Sequence, residues 1–184
     1  EVRRAYMNGV QRLARTLHAV EVPVIAAVNG AAMGAGFDLA LMCDLRIAAS
    51  DAVFGESFIN VGLVSGAGGA WFLTRVAGPA TAALLTLTGD RIDAARAREL
   101  GIVTRVVPRE QLLSETPALA GRIARHPAHT IRMNTRLLRD APRLDLLASL
   151  EQAAALQAIA QQTHDHHEAV SAFLEKRAPR YEGR

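Results

Sequence analysis

The sequence predicts an α/β protein whose first part alternates strands and helices and whose last part is entirely helical. Three observations predict this arrangement. An apolar, β-branched strand pattern at 22–29 leads through small residues into a helix, a second strand pattern follows at 45–49, and everything after Arg109 has helical spacing. We therefore expect a β/α core over residues 1–108 and a helical C-terminal region over residues 109–184.

The elements at the start of the chain follow from the spacing of apolar residues. The arginine-rich segment 2–19 predicts an amphipathic surface helix, because its apolar residues recur at helical intervals. A strand at 22–29 and a helix at 36–43 follow, and then strands at 45–49 and 53–55. This alternation favours parallel strands joined by crossover helices. Three strands are few for so much helix, so we expect the complete sheet to include strands that precede this sequence.

Glycine and proline mark the boundaries of the later elements. The glycines of segment 62–69 predict a loop that enters a helix, and Gly78 ends that helix before another begins. Asp93 is a plausible N-cap of a helix closed by Gly101, and a strand is expected at 103–107. Breaks in the helical region are expected near three prolines, Pro117, Pro127 and Pro142.

Composition excludes several classes of function. The 184 residues suffice for one domain with a sizeable core, and 50% of them are hydrophobic. The net charge is only +3, the arginines are scattered, and aromatic residues make up 4%, which argues against a nucleic-acid partner. Apolar runs are interrupted too often to predict a membrane span. The single cysteine, Cys43, excludes an internal disulfide and favours a cytoplasmic location.

The turn Gly30–Gly36 contains only glycine and alanine apart from Met33, and it lies between a predicted strand and a predicted helix. Small side chains let a ligand approach the main chain closely. The first amides of a helix have no partner within the helix and carry partial positive charge. Such a turn is suited to hold an oxyanion or a phosphate, and Asp38 follows one helical turn later.

Other glycine motifs do not fit the chain. A dinucleotide fingerprint beginning at Gly34 fails because its third glycine is Leu39, and no lysine follows to complete a phosphate loop. A nucleophile elbow fails at Gly62–Gly66, where Ser65 is one residue too late. A tight strand-to-helix crossing, in which small residues merely permit packing, remains an alternative explanation of the turn.

Four ordered stretches of the chain resemble the crotonase superfamily, the enoyl-CoA hydratase/isomerase proteins. They are residues 23–50 (PVIAAVNGAAMGAGFDLALMCDLRIAAS), 54–78, 87–107 and 172–177. The resemblance implies a fold of repeated β–β–α units with an all-helical C-terminal trimerisation region, and a homotrimer or dimer of trimers. The N-terminal portion of the family, which supplies earlier strands and one of two oxyanion-hole amides, has no counterpart here. We therefore expect the chain alone to show little or no activity.

The resemblance also implies the chemistry of the small-residue turn. Members of the family bind acyl-CoA thioesters and stabilise the thioester enolate with two main-chain amides. Ala35 matches the residue that carries the second amide, and Gly34 is assigned to substrate binding. No metal or redox cofactor is implied, since CoA is part of the substrate. Hydration or isomerisation of an enoyl-CoA is the expected reaction.

Two glutamates act in the hydratases of the family, and this chain departs from that pattern. Asp38 matches the first position, as in the dienoyl-CoA isomerases, whereas Phe58 matches the second and cannot transfer a proton. Glu56 faces the same side as Phe58 if this segment is extended, and is assigned a catalytic role. Phe58 would then line the acyl site. Alternatively, Asp38 is only a favourable first-turn acid and Glu56 a solvated or ion-paired loop carboxylate.

The C-terminal residues Phe173 and Lys176 are expected on one helix face, and they match family residues that help bind the adenine and 3′-phosphate of CoA. A packing residue and an exposed surface lysine are equally good explanations. The histidines of segment 164–167 resemble a metal cluster but lack ligands at structural spacing, so a solvated helix cap is expected and no metal site is predicted.

Two other functions compete with an enzyme. A non-catalytic acyl-CoA binder would retain the turn, and Phe58 would mark the lost chemistry. RNA binding occurs in some relatives of the family, but it needs a basic face that the scattered arginines do not form.

Overall fold

The computed structural model describes all 184 residues and contains nine α-helices and six β-strands. The helices are α1 (Val2–Asn8), α2 (Val10–Ala19), α3 (Ala35–Met42), α4 (Gly69–Thr88), α5 (Ala94–Glu99), α6 (Leu112–Ala124), α7 (Ala128–Asp140), α8 (Leu146–Gln161) and α9 (His164–Leu174). The strands are β1 (Ile25–Val28), β2 (Ala31–Met33), β3 (Leu45–Ala49), β4 (Val53–Gly55), β5 (Ile92–Asp93) and β6 (Arg105–Val107). Short 3₁₀ helices cover Ser57–Val61, Arg109–Gln111 and Ala141–Arg143.

The chain forms two compact units. The first comprises residues 1–20 and 24–118, and the second comprises residues 21–23 and 119–184. All six strands and helices α1–α5 belong to the first unit, whereas α7–α9 belong to the second. The first unit thus extends to residue 118, beyond the expected division between residues 108 and 109.

The strands pair in two three-stranded sheets. One has the order β1-β3-β6 and is entirely parallel, with Ile25 opposite Leu45 and Ile47 opposite Arg105. The other has the order β2-β4-β5, in which β4 is parallel to β2 and antiparallel to β5. The sequence prediction of parallel strands is therefore confirmed for three of the four pairs.

The segment that precedes α3 differs from the predicted small-residue turn, because it contains β2. Its alanines are extended and pair with β4, so that Ala32 lies opposite Phe54. Alanine has no preference for strands, and the pairing with a distant segment decides the conformation. Gly55 permits the close approach, since a Cβ there would stand 2.6 Å from Cε of Met33.

The core of the first unit lies under α3 and α4. Its largest fully buried side chains include Phe37, Phe54, Leu73, Leu85 and Ile102. The rings of Phe37 and Phe54 lie 5.6 Å apart between centroids and are tilted by 57°. This packing fixes the first turn of α3, which carries Asp38, against the strand that precedes Glu56.

The prediction of one continuous N-terminal helix over 2–19 is wrong, because the structure has two helices there. Gly9 separates α1 from α2, and its ψ of −104° is not helical. A Cβ at this position would stand 2.9 Å from the Ala5 carbonyl oxygen, so the bend depends on glycine. The two short helices expose most of their residues, as a surface position requires.

Two predicted helix boundaries around α4 and α5 are confirmed. Gly78 interrupts α4 with non-helical angles, φ 80° and ψ 163°, next to Pro79. Asp93 caps α5, since its Oδ1 accepts a hydrogen bond of 2.7 Å from the Arg96 amide. The strand predicted at 103–107 is shorter and begins at Arg105.

By length and composition alone, α4 would suffice to cross a membrane, with 20 residues and a mean hydropathy of 1.2. One such helix is weak evidence, because core helices of soluble proteins pass the same test. Here Gly78 interrupts the helix, and Leu73 and Leu85 belong to the hydrophobic core. The absence of a membrane-spanning segment stays a prediction.

Helices dominate after Arg109, as predicted, and interruptions occur at Pro127 and Pro142. The break expected at Pro117 is wrong, because this residue lies inside α6. A proline there leaves only the Leu113 carbonyl without its helical donor, and Leu113 is 80% exposed, so water can supply the missing bond.

Candidate active site

The start of α3 offers main-chain amides to a ligand. Gly34 precedes the helix with φ 51° and ψ −117°, a conformation that favours glycine, and its own amide donates to the Gly55 carbonyl at 2.8 Å. The amide of Ala35 belongs to the first helical turn and therefore has no acceptor within the helix. Ala35 is exposed, so an anionic oxygen could reach this amide.

Two acidic side chains of different elements meet in the interior beside this turn. Asp38 comes from the first turn of α3, and Glu56 follows β4. The exposed fraction is 0% for Asp38 and 1% for Glu56. A Cβ added to Gly69 would collide with Oδ1 of Asp38, Oε1 of Glu56 and the Oγ of Ser65. These three oxygens therefore converge on the first residue of α4.

Asp38 accepts hydrogen bonds in this cluster. Its donors are the Ser65 hydroxyl, 3.4 Å from Oδ2 and 3.5 Å from Oδ1, and the backbone amides of Ala67 and Gly69. The Asp38 carboxyl does not cap its own helix, and its donors lie in the loop before α4 and at the first residue of α4. The alternative explanation, an acid that only favours its own helix terminus, does not describe this arrangement.

Glu56 lies in hydrogen-bonding reach of Asp38, yet neither of its oxygens has a donor while both carboxyls are ionised. A proton on Glu56 resolves this, because the neutral carboxyl donates to the Asp38 carboxylate. Buried polar atoms without partners are costly, so the neutral form of one carboxyl is the stable arrangement. The alternative of a solvated or ion-paired loop carboxylate is thus wrong for Glu56, which is 1% exposed.

The pKa values of both carboxyls are raised. Burial raises the pKa of Glu56 to about 8, and the negative charge of Asp38 adds to this shift. Burial likewise raises the pKa of Asp38, whereas the hydrogen bonds that this carboxyl accepts lower it. At neutral pH the pair therefore holds one proton, with Glu56 as its main carrier.

Phe58 lies beside the small-residue turn. Its half-buried ring is 3.5 Å from the point where a Cβ would stand on Gly34. The extended conformation expected for 56–58 is wrong, because Ser57–Val61 forms a 3₁₀ helix. Glu56 nevertheless reaches Asp38, since the backbone of Glu56 itself turns at φ −83° and ψ 67°.

The C-terminal candidates belong to the second unit. Phe173 lies near the end of α9 and is 82% exposed. Lys176 follows the helix in a left-handed conformation with φ 55°, so the expectation that both residues share one helix face is wrong. Thr163 caps α9 by accepting from the His166 amide at 3.2 Å, and no group of three or more potential metal ligands occurs in the 184 residues.

Sequence reasoning missed two residues of the cluster, Ser65 and Gly69. Ser65 was considered only as a misplaced nucleophile, because a hydroxyl that serves a distant carboxylate leaves no local pattern. The glycines of segment 62–69 predicted only a loop that enters a helix, although glycine is also required wherever other atoms occupy the space of a side chain. They did not indicate which atoms those are.

Comparisons with known proteins agree with this geometry. Residues 2–184 match the family model of enoyl-CoA hydratase/isomerase. The chain is 40% identical over 168 residues to 2,3-dehydroadipyl-CoA hydratase of Escherichia coli, covering 91% of the chain and 66% of that protein. It is 39% identical over 183 residues to 1,2-epoxyphenylacetyl-CoA isomerase of the same organism, covering 100% of the chain and 68% of that protein.

A similar result comes from solved structures. The enoyl-CoA hydratase of Bacillus anthracis superposes with a TM-score of 0.96 at 34% identity, over 100% of the chain and 70% of that protein. The expected fold, a crotonase-like α/β fold with a helical C-terminal region, is thereby confirmed. The chain spans about two thirds of the length of the curated relatives that it matches.

Proposed function

Because the chain belongs to the enoyl-CoA hydratase/isomerase family, we propose that it forms the catalytic part of an enzyme acting on an acyl-CoA thioester. The observation that carries the proposal is the buried pair of Asp38 and Glu56, which holds one proton beside the start of α3. The free amide of Ala35 would bind the thioester oxygen as negative charge develops on it. One such donor is worth about 3–4 kcal/mol in the transition state. No cofactor beyond the CoA of the substrate is needed.

The pair suits a reaction that moves one proton between two carbons. In the isomerisation of a 3-enoyl-CoA, ionised Asp38 takes a proton from C2 and the thioester becomes a dienolate. Protonated Glu56 then donates its proton to C4, and the double bond shifts to C2–C3. One proton leaves and one arrives, so atoms and charge balance, and a proton transfer from Asp38 to Glu56 restores the pair.

Hydration is the second candidate, favoured by the presence of two carboxyls and by relatives named as hydratases. It requires a water molecule held between two acidic groups. Asp38 and Glu56 lie in direct hydrogen-bonding reach of each other, and Phe58 offers no proton, so the geometry favours isomerisation. A catalytically impaired acyl-CoA binder is not favoured, because a binder would have no need of a buried proton-sharing pair.

Asp38→Asn is expected to reduce turnover by about 100-fold or more, since an amide cannot take the C2 proton. The measurement is conversion of a 3-enoyl-CoA to the conjugated 2-enoyl-CoA, followed at the thioester-conjugated double bond. Hydration of crotonyl-CoA and exchange of the C2 proton for deuterium in a saturated acyl-CoA are measured in parallel. The exchange requires only the enolate, so it detects partial chemistry if the isolated chain turns over slowly.

The matched control is Asp51→Asn. Asp51 is exposed and pairs with Arg109 at 2.8 Å, so its loss should leave all three reactions unchanged. Equal exchange in Asp38→Asn and the wild-type chain would contradict a base role for Asp38. Faster hydration than isomerisation in the wild-type chain would instead assign the pair to the hydratase reaction.

The remaining expectations concern the environment of the site, and we propose them together. Exposed Phe173 and Lys176 help bind the adenine and 3′-phosphate end of CoA, and the protein acts in the cytoplasm. The second unit exposes large apolar side chains on α8, which favours a homotrimer. They are Leu146, Leu147, Leu150 and Ile159.

Sedimentation is expected to give three times the 19.7 kDa of the chain, or six times if two trimers associate. Burial of the α8 side chains would supply the free energy of association. Leu147→Glu should shift the population toward monomers, whereas Glu151→Gln, an exposed polar change on the same helix, should not. A monomeric wild-type chain at high concentration would contradict the trimer.

A further inference from the structure

Ser65 occupies the one place in the first unit where a hydroxyl contacts the carboxyl pair. It lies in the loop before α4, and its Oγ is 3.4 Å from Oδ2 and 3.5 Å from Oδ1 of Asp38. The same Oγ shares the space around Gly69 with Oε1 of Glu56. The residue is half-buried, so its side chain is held between the surface and the pair.

The loop that carries Ser65 is held in place from two sides. The Gln11 side chain donates to the Gly66 carbonyl at 3.0 Å, and the Tyr6 ring would stand 2.7 Å from a Cβ on Gly66. Gly68 turns the chain into α4 with φ 113°. Contacts on Gly66, the residue that follows Ser65, thus help to fix the part of the loop that carries the hydroxyl.

We propose that Ser65 is a positioning residue that assigns the proton within the carboxyl pair. Its hydroxyl donates to Asp38 and stabilises that carboxyl as the ionised base, which leaves the proton on Glu56. Ser65 also favours the ionised form of Glu56, but neither Glu56 oxygen has a donor within hydrogen-bond distance. Asp38 accepts from Ser65 and from the amides of Ala67 and Gly69, so Glu56 is the carboxyl that keeps the proton and donates to its partner. Asp38 is the ionised base and Glu56 is the proton carrier because the two carboxyls have different hydrogen-bond donors.

Basic side chains near the pair do not explain why the proton stays on Glu56 and not on Asp38. The helices packed against α3 are α2 and α4, whose basic side chains are Arg12, Arg15, His18 and Arg75. Arg75 lies over the Trp71 ring, 3.6 Å from its centroid, and His18 packs edge-on against the same ring at 6.0 Å. The principal partners of Asp38 are Glu56, Ser65 and the amides of Ala67 and Gly69, whereas those of Glu56 are Asp38 and Ser65.

The inference rests on the proposed function only for the catalytic role of the pair. The ionisation of the two carboxyls can be measured without substrate. Side-chain carboxyl carbons of Asp and Glu are labelled with ¹³C in separate samples of the 184-residue chain and titrated by NMR. Asp38→Asn and Glu56→Gln identify the two resonances. In the wild-type chain, Asp38 should be ionised at pH 7 while Glu56 titrates near pH 8.

Ser65→Ala should raise the first ionisation step of the pair by about one pH unit, since it removes one hydrogen bond to a charged group. The Asp38 resonance should then become protonated at a higher pH than in the wild-type chain. Ser65→Thr keeps the hydroxyl and should restore the wild-type titration. Ser65→Cys, whose thiol is a weak donor, replaces the alanine variant if that variant fails to fold. Ser50→Ala, an exposed serine of the same unit, is the control.

An unchanged titration in folded Ser65→Ala or Ser65→Cys overturns the assignment, whatever the enzyme activity. A changed titration with neither turnover nor exchange of the C2 proton in any chain leaves the assignment intact and overturns the proposed function instead. Where turnover is measurable, the acidic limb of the pH profile of kcat should shift upward with the NMR titration in Ser65→Ala and return in Ser65→Thr. A merely structural serine would lower the rate without moving that limb.

Discussion

Gly69→Ala is expected to destabilise the protein by about 3 kcal/mol. Its Cβ would occupy the space of three oxygens, those of Asp38, Glu56 and Ser65. Two of the three belong to buried acids, whose side chains cannot move outward without losing their hydrogen bonds. The variant must therefore displace α4 from α3 or leave the carboxyls without partners, and both are costly. Urea unfolding at pH 6 measures the difference.

The control for this substitution is Gly121→Ala. Gly121 lies inside α6, and a Cβ there meets nothing within 4 Å. Alanine should stabilise this helix by about 0.5–1 kcal/mol because it is the better helix former. Equal stability of Gly69→Ala and the wild-type chain would contradict the convergence of the carboxyl pair on the start of α4.

The sequence predicted most of the fold where local rules decide it. The bounds of β3 and β4 follow from short, largely apolar stretches, and the cap at Asp93 follows from N-cap chemistry. Both signals act over a few residues. β2 was missed because Ala31–Met33 is extended only through its pairing with β4. The break at Gly9 was missed because amphipathic spacing continues across it.

The candidate site likewise has residues that the sequence predicted and contacts that it did not. Asp38 and Glu56 were named from resemblance and from the order of residues, and the structure brings them together. Their mutual contact was not predictable, since it depends on the 3₁₀ turn after Glu56 and on the glycine at position 69. Ser65 was recognisable only after folding, because it acts on an aspartate 27 positions earlier in the chain.

The carboxyl pair should make the protein less stable as the pH rises from about 5 to about 8. Burial raises the pKa of Glu56 from 4.5 to about 8, so in this range the folded chain keeps a proton that the unfolded chain has released. A state that binds more protons is favoured at low pH, and its advantage is lost as the pH passes its own pKa. The raised pKa of Asp38 acts in the same direction.

Glu56→Gln should remove most of this dependence. Glutamine stays neutral and can still donate to Asp38, so the variant should exceed the wild-type chain in stability at pH 8–9 by an amount on the order of 3 kcal/mol. At pH 5 the two should be similar. Free energies of unfolding are measured by urea denaturation at several pH values, with ionic strength held constant.

Glu99→Gln provides the matched control, because Glu99 is exposed and only pairs with Arg96 on the surface of α5. This variant should reproduce the wild-type pH profile. Carboxylates held by ion pairs would produce the opposite slope, with stability gained as the pH rises above their lowered pKa values. A wild-type stability that is flat or rising between pH 5 and 8 would therefore show that Glu56 is ionised in the folded chain, and the single shared proton on which the isomerase chemistry depends would be absent.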